Sequence, residues 1–485
     1  MVSQNNLFLF TGRIAQLLLT IISVRVATGL LAVEQYGMLA LLTGFQSLFG
    51  LLLISPVGQY ILRHTHQWAA EGLLLSRLRR YNLYVSIVAL VAVAAVMAWI
   101  SMHKKGNVHV PWLAALAVGL VVYVGTWNGC LVSLLNMLGF HGVSVYLAFL
   151  TTLAALISGV AVLFSSHAVT AAMWLTGQSI GTGLVSALAL QRLHREIRPI
   201  TRTTIDPTFL TWNIVLSYCF PLAITAGFSW VMLSGYRFIV EWVWGMYALG
   251  CLAVGLAVAG QVWSACEGLL MQFTIPQFYK AVSEGTPCAY QRAYSNFINT
   301  VMPIYLLLLG VILSCGGWLM AVLVDAKFYE AYKFVIYGAG IEWCRAMAGL
   351  LSQAAQVTKQ TKYLIAPFAL SSFVAMAGCV GVAWIHAPLE AVSLVLLVAG
   401  LFLVLSMGWQ MNRLLRINIE WRGLLSMGFL ACAIFSGALL IGLKPLSSIE
   451  SVMPLTVVVV TAGLGLYIFI KLSSACRAVK SVHAS

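Results

Sequence analysis

Long apolar runs, separated by short polar connections, set the rhythm of this chain. Fourteen can be read, over 7–30, 36–61, 81–102, 112–136, 142–164, 168–190, 211–234, 244–272, 297–322, 331–356, 363–385, 391–411, 423–443 and 451–471. About twenty apolar residues in a helix cover a hydrocarbon core ~30 Å thick. The runs lack the short two-residue alternation of barrel strands, and backbone groups in lipid must be satisfied within their own segment. The pattern therefore predicts an all-α polytopic membrane protein with about 14 transmembrane helices. An even number of crossings puts both termini on one side. The first run lacks a basic leader and a small-residue cleavage site, so it reads as a retained anchor.

The connections predict the division of the chain. Those on one side are about ten residues or shorter, too small for a separate folded domain. The longest on the other side are Leu62–Arg80 and Gln191–Leu210, followed by Phe273–Asn296. The second carries Arg192, Arg195, Arg198 and Arg202 and ends in Asp206-Pro207, which suits a linker between halves. The expected organisation is a six-helix bundle over 1–195, a linker over 196–210, a second bundle over 211–415, and two further helices with a tail over 416–485. Ala69–Arg80 is amphipathic and reads either as a helix along the membrane surface or as a solvated basic loop.

Composition sharpens this reading. Charged residues make up 8% of the chain and hydrophobic residues 61%, with a mean hydropathy of +0.96. The net charge of +14 looks at first like a nucleic-acid footprint. Threading the N-terminus inside places 18 of the 27 Lys and Arg in inner loops and tails, six outside and three within spans. The acids show no such bias, as the positive-inside rule expects. The basicity orients a membrane protein and calls for no nucleic acid.

A faint internal repeat supports two halves. Gly37-Met38-Leu39-Ala40-Leu41 opens the second span and Gly245-Met246-Tyr247-Ala248-Leu249 the eighth, preceded by Val33-Glu34 and Val240-Glu241. Pro56-Val57-Gly58-Gln59-Tyr60 has a weak counterpart in Pro276-Gln277-Phe278-Tyr279. An offset of six spans keeps the orientation, predicting parallel repeats with a site between them.

Candidate chemistry is sparse. The ten cysteines show no metal-ligand spacing. The nine histidines (His64, His66, His103, His109, His141, His167, His194, His386 and His483) fall in predicted loops or tails. No phosphate-binding Gly loop, nucleophile elbow or zinc helix motif stands in the sequence, so nothing argues for an enzyme, a cofactor or a metal. Away from the span ends, five charges remain within spans: Arg13, Arg25, Glu267, Glu342 and Arg345. Each costs roughly 2.5–3.5 kcal/mol at a helix centre, which makes a polar pathway the default reading.

Arg13 shares a helix face with Gln16, Thr20 and Ser23, a stripe ill suited to lipid. Arg25 lies about 18 Å further along and about 120° round. It reads either as a cavity residue or as a side chain reaching the outer headgroups. Glu342 and Arg345 are three apart and can pair. Arg345 then either balances Glu342 or serves an anionic group, with Glu342 and Glu267 as candidates for coupling to a proton or sodium ion. Gln46, Asn128, Asn213, Gln261 and Gln353 are candidates for hydrogen bonds to sugar hydroxyls or between helices. Trp127, Trp230 and Trp263 are candidates for stacking on sugar rings.

The N-terminal stretch adds a resemblance. Arg25-Val26-Ala27-Thr28-Gly29-Leu30 is followed by Glu34-Gln35-Tyr36-Gly37, and then by Pro56-Val57-Gly58-Gln59-Tyr60-Ile61-Leu62-Arg63. This is similar to the Wzx-like O-antigen and exopolysaccharide flippase branch of the multidrug/oligosaccharidyl-lipid/polysaccharide exporter superfamily. Later echoes are Tyr236-Arg237-Phe238-Ile239 and Asp325-Ala326-Lys327-Phe328-Tyr329-Glu330-Ala331. Tyr236 stands where many relatives carry an acid, so no acid role is carried over there. The resemblance implies two six-helix bundles around a central cavity, two extra C-terminal helices and alternating access. It also implies that Arg25 and Arg13 line the cavity.

The expected function is a flippase moving polyprenyl-pyrophosphate-linked oligosaccharide from the cytoplasmic to the periplasmic leaflet of a bacterial inner membrane. Both termini would be cytoplasmic, and a polysaccharide polymerase is an expected partner. Guanidinium groups suit pyrophosphate through forked, charge-assisted hydrogen bonds. Arg13, Arg25, Arg345, Gln16, Gln46, Asn128 and Gln261 are the expected substrate contacts, with Glu342 and Glu267 as the coupling candidates. A drug/cation antiporter of the same fold is the main alternative, and a membrane polymerase or glycosyltransferase a weaker one.

Overall fold

The computed structural model describes residues 4–102, 111–166, 169–196, 212–282, 287–358, 360–442, 444 and 447–482. Among these no strand occurs, and fourteen long helices follow one another in the predicted order. They are α1 (Gln4–Leu30), α2 (Val33–Ala70), α3 (Leu74–Met102), α4 (Pro111–Met137), α5 (His141–Ser165), α6 (Ala171–Glu196), α7 (212–244) and α8 (246–282). The remainder are α9 (Pro287–Leu323), α10 (Tyr332–Val357), α11 (Ile365–Trp384), α12 (Leu389–Leu414), α13 (Trp421–Ile441) and α14 (Ser448–Val482).

Twelve helical stretches of the described chain are long and apolar enough to cross a membrane. One of them, Cys219–Val282, is 64 residues long and contains both α7 and α8. The more polar α6 completes the set. The chain is a multi-pass membrane protein.

The helices outrun the apolar runs that predicted them. The break between α7 and α8 occurs at Gly245, and the stretch 235–243 expected as a loop is helical. Gly245 adopts φ 83° and ψ 177°, a region essentially reserved for glycine. Likewise Ala69–Arg80 forms neither a surface helix nor a loop: α2 runs to Ala70, turns over Glu71–Leu73, and α3 begins at Leu74. Most of Phe273–Asn296 is also helical, with α8 reaching Val282 and α9 starting at Pro287. Hydropathy marks the part of a helix that lipid solvates, whereas the backbone ladder continues into the headgroups. Apart from Glu196, the expected linker lies outside the described residues.

Compactness divides the chain into Met1–Gly250 and Cys251–Ser485. In the first unit, Phe45 and Phe49 of α2, Val85 and Val96 of α3, Val118 of α4 and Val185 of α6 share one core. Lipid is as apolar as these side chains, so close packing and interhelical hydrogen bonds hold such helices together. Ser144 Oγ donates to the Val132 carbonyl (3.0 Å), joining α5 to α4. Gln35 of α2 accepts from the first amide of α6, at Ala171 (3.0 Å). Three helices of this unit carry a π turn: Gly50–Ile54 in α2, Val121–Gly125 in α4 and Val231–Gly235 in α7. Such turns loosen the ladder, and Tyr84 O–H of α3 donates to the Leu53 carbonyl within one of them (2.8 Å).

The start of α2 meets the start of α8 at small residues. A Cβ on Gly37 would stand 2.2 Å from the Met246 carbonyl oxygen, and one on Gly250 would stand 2.1 Å from that of Val33. Two copies of the sequence echo thus cross there backbone to backbone.

In the second unit, Trp318 and Cys315 of α9 pack with Met427, Ile434 and Ala438 of α13 and Val458 of α14. Ser371 of α11 donates to the Ala399 carbonyl of α12 (2.8 Å). Asn299 of α9 clamps the chain before α13, donating to the Asn418 carbonyl (2.7 Å) and accepting from the Glu420 amide (2.9 Å).

Candidate functional site

Polar groups inside the spans gather in three places. The first is α1, where Arg13 Nη1 donates to Gln16 Oε1 at 3.1 Å. The spacing of three brings the two side chains onto one face. Thr20 returns its hydroxyl to the Gln16 carbonyl (2.9 Å). Arg13 therefore rests on a neutral acceptor, and among the described residues no ion pair compensates its charge. Twelve residues on, Arg25 is half-buried, and its Nη1 is sealed from solvent with no hydrogen-bond partner. A buried, unanswered guanidinium nitrogen is rare in a folded protein and calls for an acceptor.

The second place is the seam between α2 and α7. Trp230 Nε1 donates to the Gly44 carbonyl (2.9 Å) and lies 3.1 Å from Ser47 Oγ. Arg237 Nη1 donates to the Ala40 carbonyl (2.8 Å) and lies 3.3 Å from Thr43 Oγ1, while its buried Nε has no acceptor. Hydropathy leaves Arg237 in the connection between the seventh and eighth runs, because charge and aromatic content mask the helix there, and so hides its tie to α2. Trp230, expected among ring-stacking residues, has its N–H committed to α2.

The third place is the second unit. Glu342 and Arg345 pair as their spacing predicts, Nε to Oε2 at 2.6 Å. Glu267 of α8 joins them, its Oε2 accepting from Arg345 Nη2 at 2.5 Å. Tyr305 O–H of α9 donates to Glu267 Oε1 at 3.4 Å. The cluster spans three helices and carries two carboxylates on one guanidinium. Its side chains are 19–32% exposed, so it is partly open. Arg345 is thus bound to both coupling candidates.

The remaining predicted residues stand apart. Asn128 is buried on α4, its Oδ1 accepting from Thr151 (3.3 Å) and its Nδ2 unanswered. Gln46 and Gln261 are half-buried, and no described hydrogen bond ties either to an arginine. Gln353 Oε1 accepts from Tyr279 O–H at 3.4 Å. Trp263 is fully buried, and Trp127 is half-buried. The side chain of Asn213 lies outside the described residues, as do His103, His109, His167 and His483. His64 and His66 sit on the extended end of α2, where His64 stacks on Trp68. Cys315, Cys344 and Cys379 are buried thiols. Among the described residues no three His, Cys, Asp or Glu side chains converge as a metal site.

No protein-family model matches the chain. No curated protein matches it either. Solved structures do. The lipid II flippase MurJ in an inward closed conformation superposes with a TM-score of 0.67 at 13% identity, over 97% of this chain and 99% of that one. An inward-facing multidrug resistance MATE transporter of the MOP superfamily gives 0.58 at 12% identity, over 82% and 94%. An outward-facing one gives 0.53 at 11%, over 84% and 94%. These neighbours are transporters and flippases, not enzymes. The chain is similar in fold to the first along nearly its whole length and to the other two over more than four fifths of it.

Proposed function

We propose that this protein is a flippase for polyprenyl-pyrophosphate-linked oligosaccharide, an O-antigen or exopolysaccharide repeat unit, acting by alternating access in a bacterial inner membrane. The observation that carries the reading is Arg25, with a buried Nη1 that lacks any acceptor, together with Arg13, which leans on a neutral amide. Embedded cations without carboxylate partners suit a polyanionic head, and guanidinium forks suit pyrophosphate oxygens. The lipid tail stays in the bilayer while the head crosses. An inside-negative potential favours outward movement of each negative charge by roughly 2.3 kcal/mol per 100 mV. Gln16, Gln46, Asn128 and Gln261 would serve sugar hydroxyls, and both termini would lie in the cytoplasm. A polymerase would receive the product at the outer leaflet. The similarity in fold to a lipid II flippase supports a lipid-linked substrate without naming its sugars.

The test is a host lacking the gene, from which lipid-linked oligosaccharides are extracted and assigned to a leaflet. A complete unit accumulating on the cytoplasmic face supports the flippase. Truncated units, or finished unpolymerised units facing outward, point to an enzyme. A second reading, the drug/cation antiporter, draws on the two glutamates that share Arg345, since an excess carboxylate suits a cation. Unchanged lipids with new drug sensitivity would favour it.

A further inference from the structure

The Glu267–Arg345–Glu342 cluster does not cancel: with all three ionised it carries a net charge of −1. The groups facing it are Glu267 from α8, Tyr305 from α9, and Glu342 and Arg345 from α10 itself. The helix α12 also packs on α10; its Glu390 pairs with Lys333 at the start of α10 (3.7 Å), twelve residues before Arg345, and no described hydrogen bond or ion pair joins α12 to the cluster. The short turns Ala326–Ala331 and Thr361–Leu364 flank the two ends of α10, away from the cluster, with their Lys327, Glu330 and Lys362.

Two observations point to a ligand here. Trp263 stands one helical turn before Glu267, is fully buried, and meets Tyr305 edge-on at 5.6 Å. Its indole N–H has no acceptor, so a donor waits unused beside the cluster. The second is that the cluster's flank is open: Gly268, next to Glu267, and Gly349, one turn past Arg345, are exposed, and a Cβ on either would meet nothing within 4 Å. Further along α10, Gln353 and Gln356 each place an amide oxygen 3.4 Å from the Tyr279 hydroxyl.

We propose that Arg345 is a proton-gated anion site. A phosphate or pyrophosphate oxygen replaces the Glu267 carboxylate on the guanidinium, and Glu267 leaves the pair by taking a proton from a buffer acid in solution. One carboxyl O–H bond forms as the buffer acid's own bond to that proton breaks and leaves its conjugate base, one ion pair is exchanged for another, and Glu342 keeps its hold on Nε. The displaced neutral carboxyl remains beside Tyr305. Anion and proton then bind together, each strengthening the other by the same factor. Where free Glu267 is ionised, anion affinity weakens about tenfold for each unit rise in pH. This inference rests on the flippase reading for the identity of the anion.

The test is calorimetric titration of the purified full-length protein with farnesyl pyrophosphate near neutral pH, in buffers of different ionisation enthalpy. The dependence of heat on buffer counts the protons taken up. The expected result is about one proton per probe bound in the binding step that Arg345→Ala removes, and none in a step at Arg13 and Arg25, where no carboxylate is displaced. Glu267→Gln should bind at least as tightly and lose that uptake, because the guanidinium is then freed without a proton. No net uptake by the wild-type protein overturns the proposal, whether or not the variant folds. So does equal uptake by Glu267→Gln, which would assign the proton to the probe, and so does failure of the wild type to bind the probe. The leaflet assay reads the flippase function separately, so a protein that exports lipid-linked sugar with no proton count loses this inference alone.

Discussion

Replacing Arg345 by alanine should be among the most damaging single changes in the second unit. The guanidinium donates two charge-assisted hydrogen bonds, at 2.5 and 2.6 Å, to two carboxylates. Bonds of this kind are each worth about 1.5–3 kcal/mol. Their removal also leaves the Glu267 and Glu342 carboxylates, which sit side by side on the Nε–Nη2 edge, as like charges with no cation between them. That repulsion adds to the loss. The side chains are 19–32% exposed, so water softens both terms. A net loss of about 3 kcal/mol is expected, at the lower end for breaking a buried ionic network by removing one partner. The assay is unfolding by SDS in mixed micelles, followed by tryptophan fluorescence. The combination Glu267→Gln, Arg345→Met and Glu342→Gln removes every charge together and should recover most of the loss, because no ion is then left uncompensated. If Arg345→Ala unfolds within about 0.5 kcal/mol of wild type, the range of an ordinary surface substitution, the cluster does not hold α8 to α10 and the reasoning fails.

Other outcomes follow from the same geometry. Arg25→Ala should abolish export of the lipid-linked oligosaccharide while the protein remains in the membrane, and Arg25→Lys should restore it in part because the fork is lost but the charge is kept; full export by Arg25→Ala would remove it from the substrate path. Gly245→Ala should cost about 1–3 kcal/mol by forcing a side chain into a glycine-only backbone conformation, read by the same unfolding assay. Gly37→Leu should cost more than Gly37→Ala, because even a Cβ there would stand 2.2 Å from the Met246 carbonyl oxygen. Trp230→Phe removes the indole donor to the Gly44 carbonyl and should destabilise the α2–α7 seam by about 1 kcal/mol.

The order and number of the helices were legible because the signal for a membrane span is local: about twenty apolar residues decide it without help from any partner. Helix ends were not, since the ladder continues into water where hydropathy falls. Residues 235–243 show the failure plainly. Arg237 and Glu241 read as loop charges, whereas the turn waits for Gly245, whose backbone conformation a hydropathy plot does not register. The glycine echo was visible, and its meaning as a backbone crossing required knowing which helices touch.

The site divides along the same line between local and long-range information. Arg13 with Gln16 and Glu342 with Arg345 are three residues apart, and helical geometry alone brings each pair together. Glu267 lies 78 residues before Arg345 and reaches it only because α8 packs beside α10. That one contact alters the chemistry. As a simple pair, Glu342 and Arg345 would be neutral and could be dismissed as packing; as a cluster of three they hold one carboxylate more than the guanidinium balances. In the first unit the balance runs the other way, with Arg13 on an amide and Arg25 with a buried nitrogen unanswered. An anion can bind at the first set without displacing anything, whereas at Arg345 it must compete with a carboxylate. The two sets therefore differ in pH dependence: loss of Arg25 should weaken anion binding equally across pH, and loss of Glu267 should flatten the pH dependence itself.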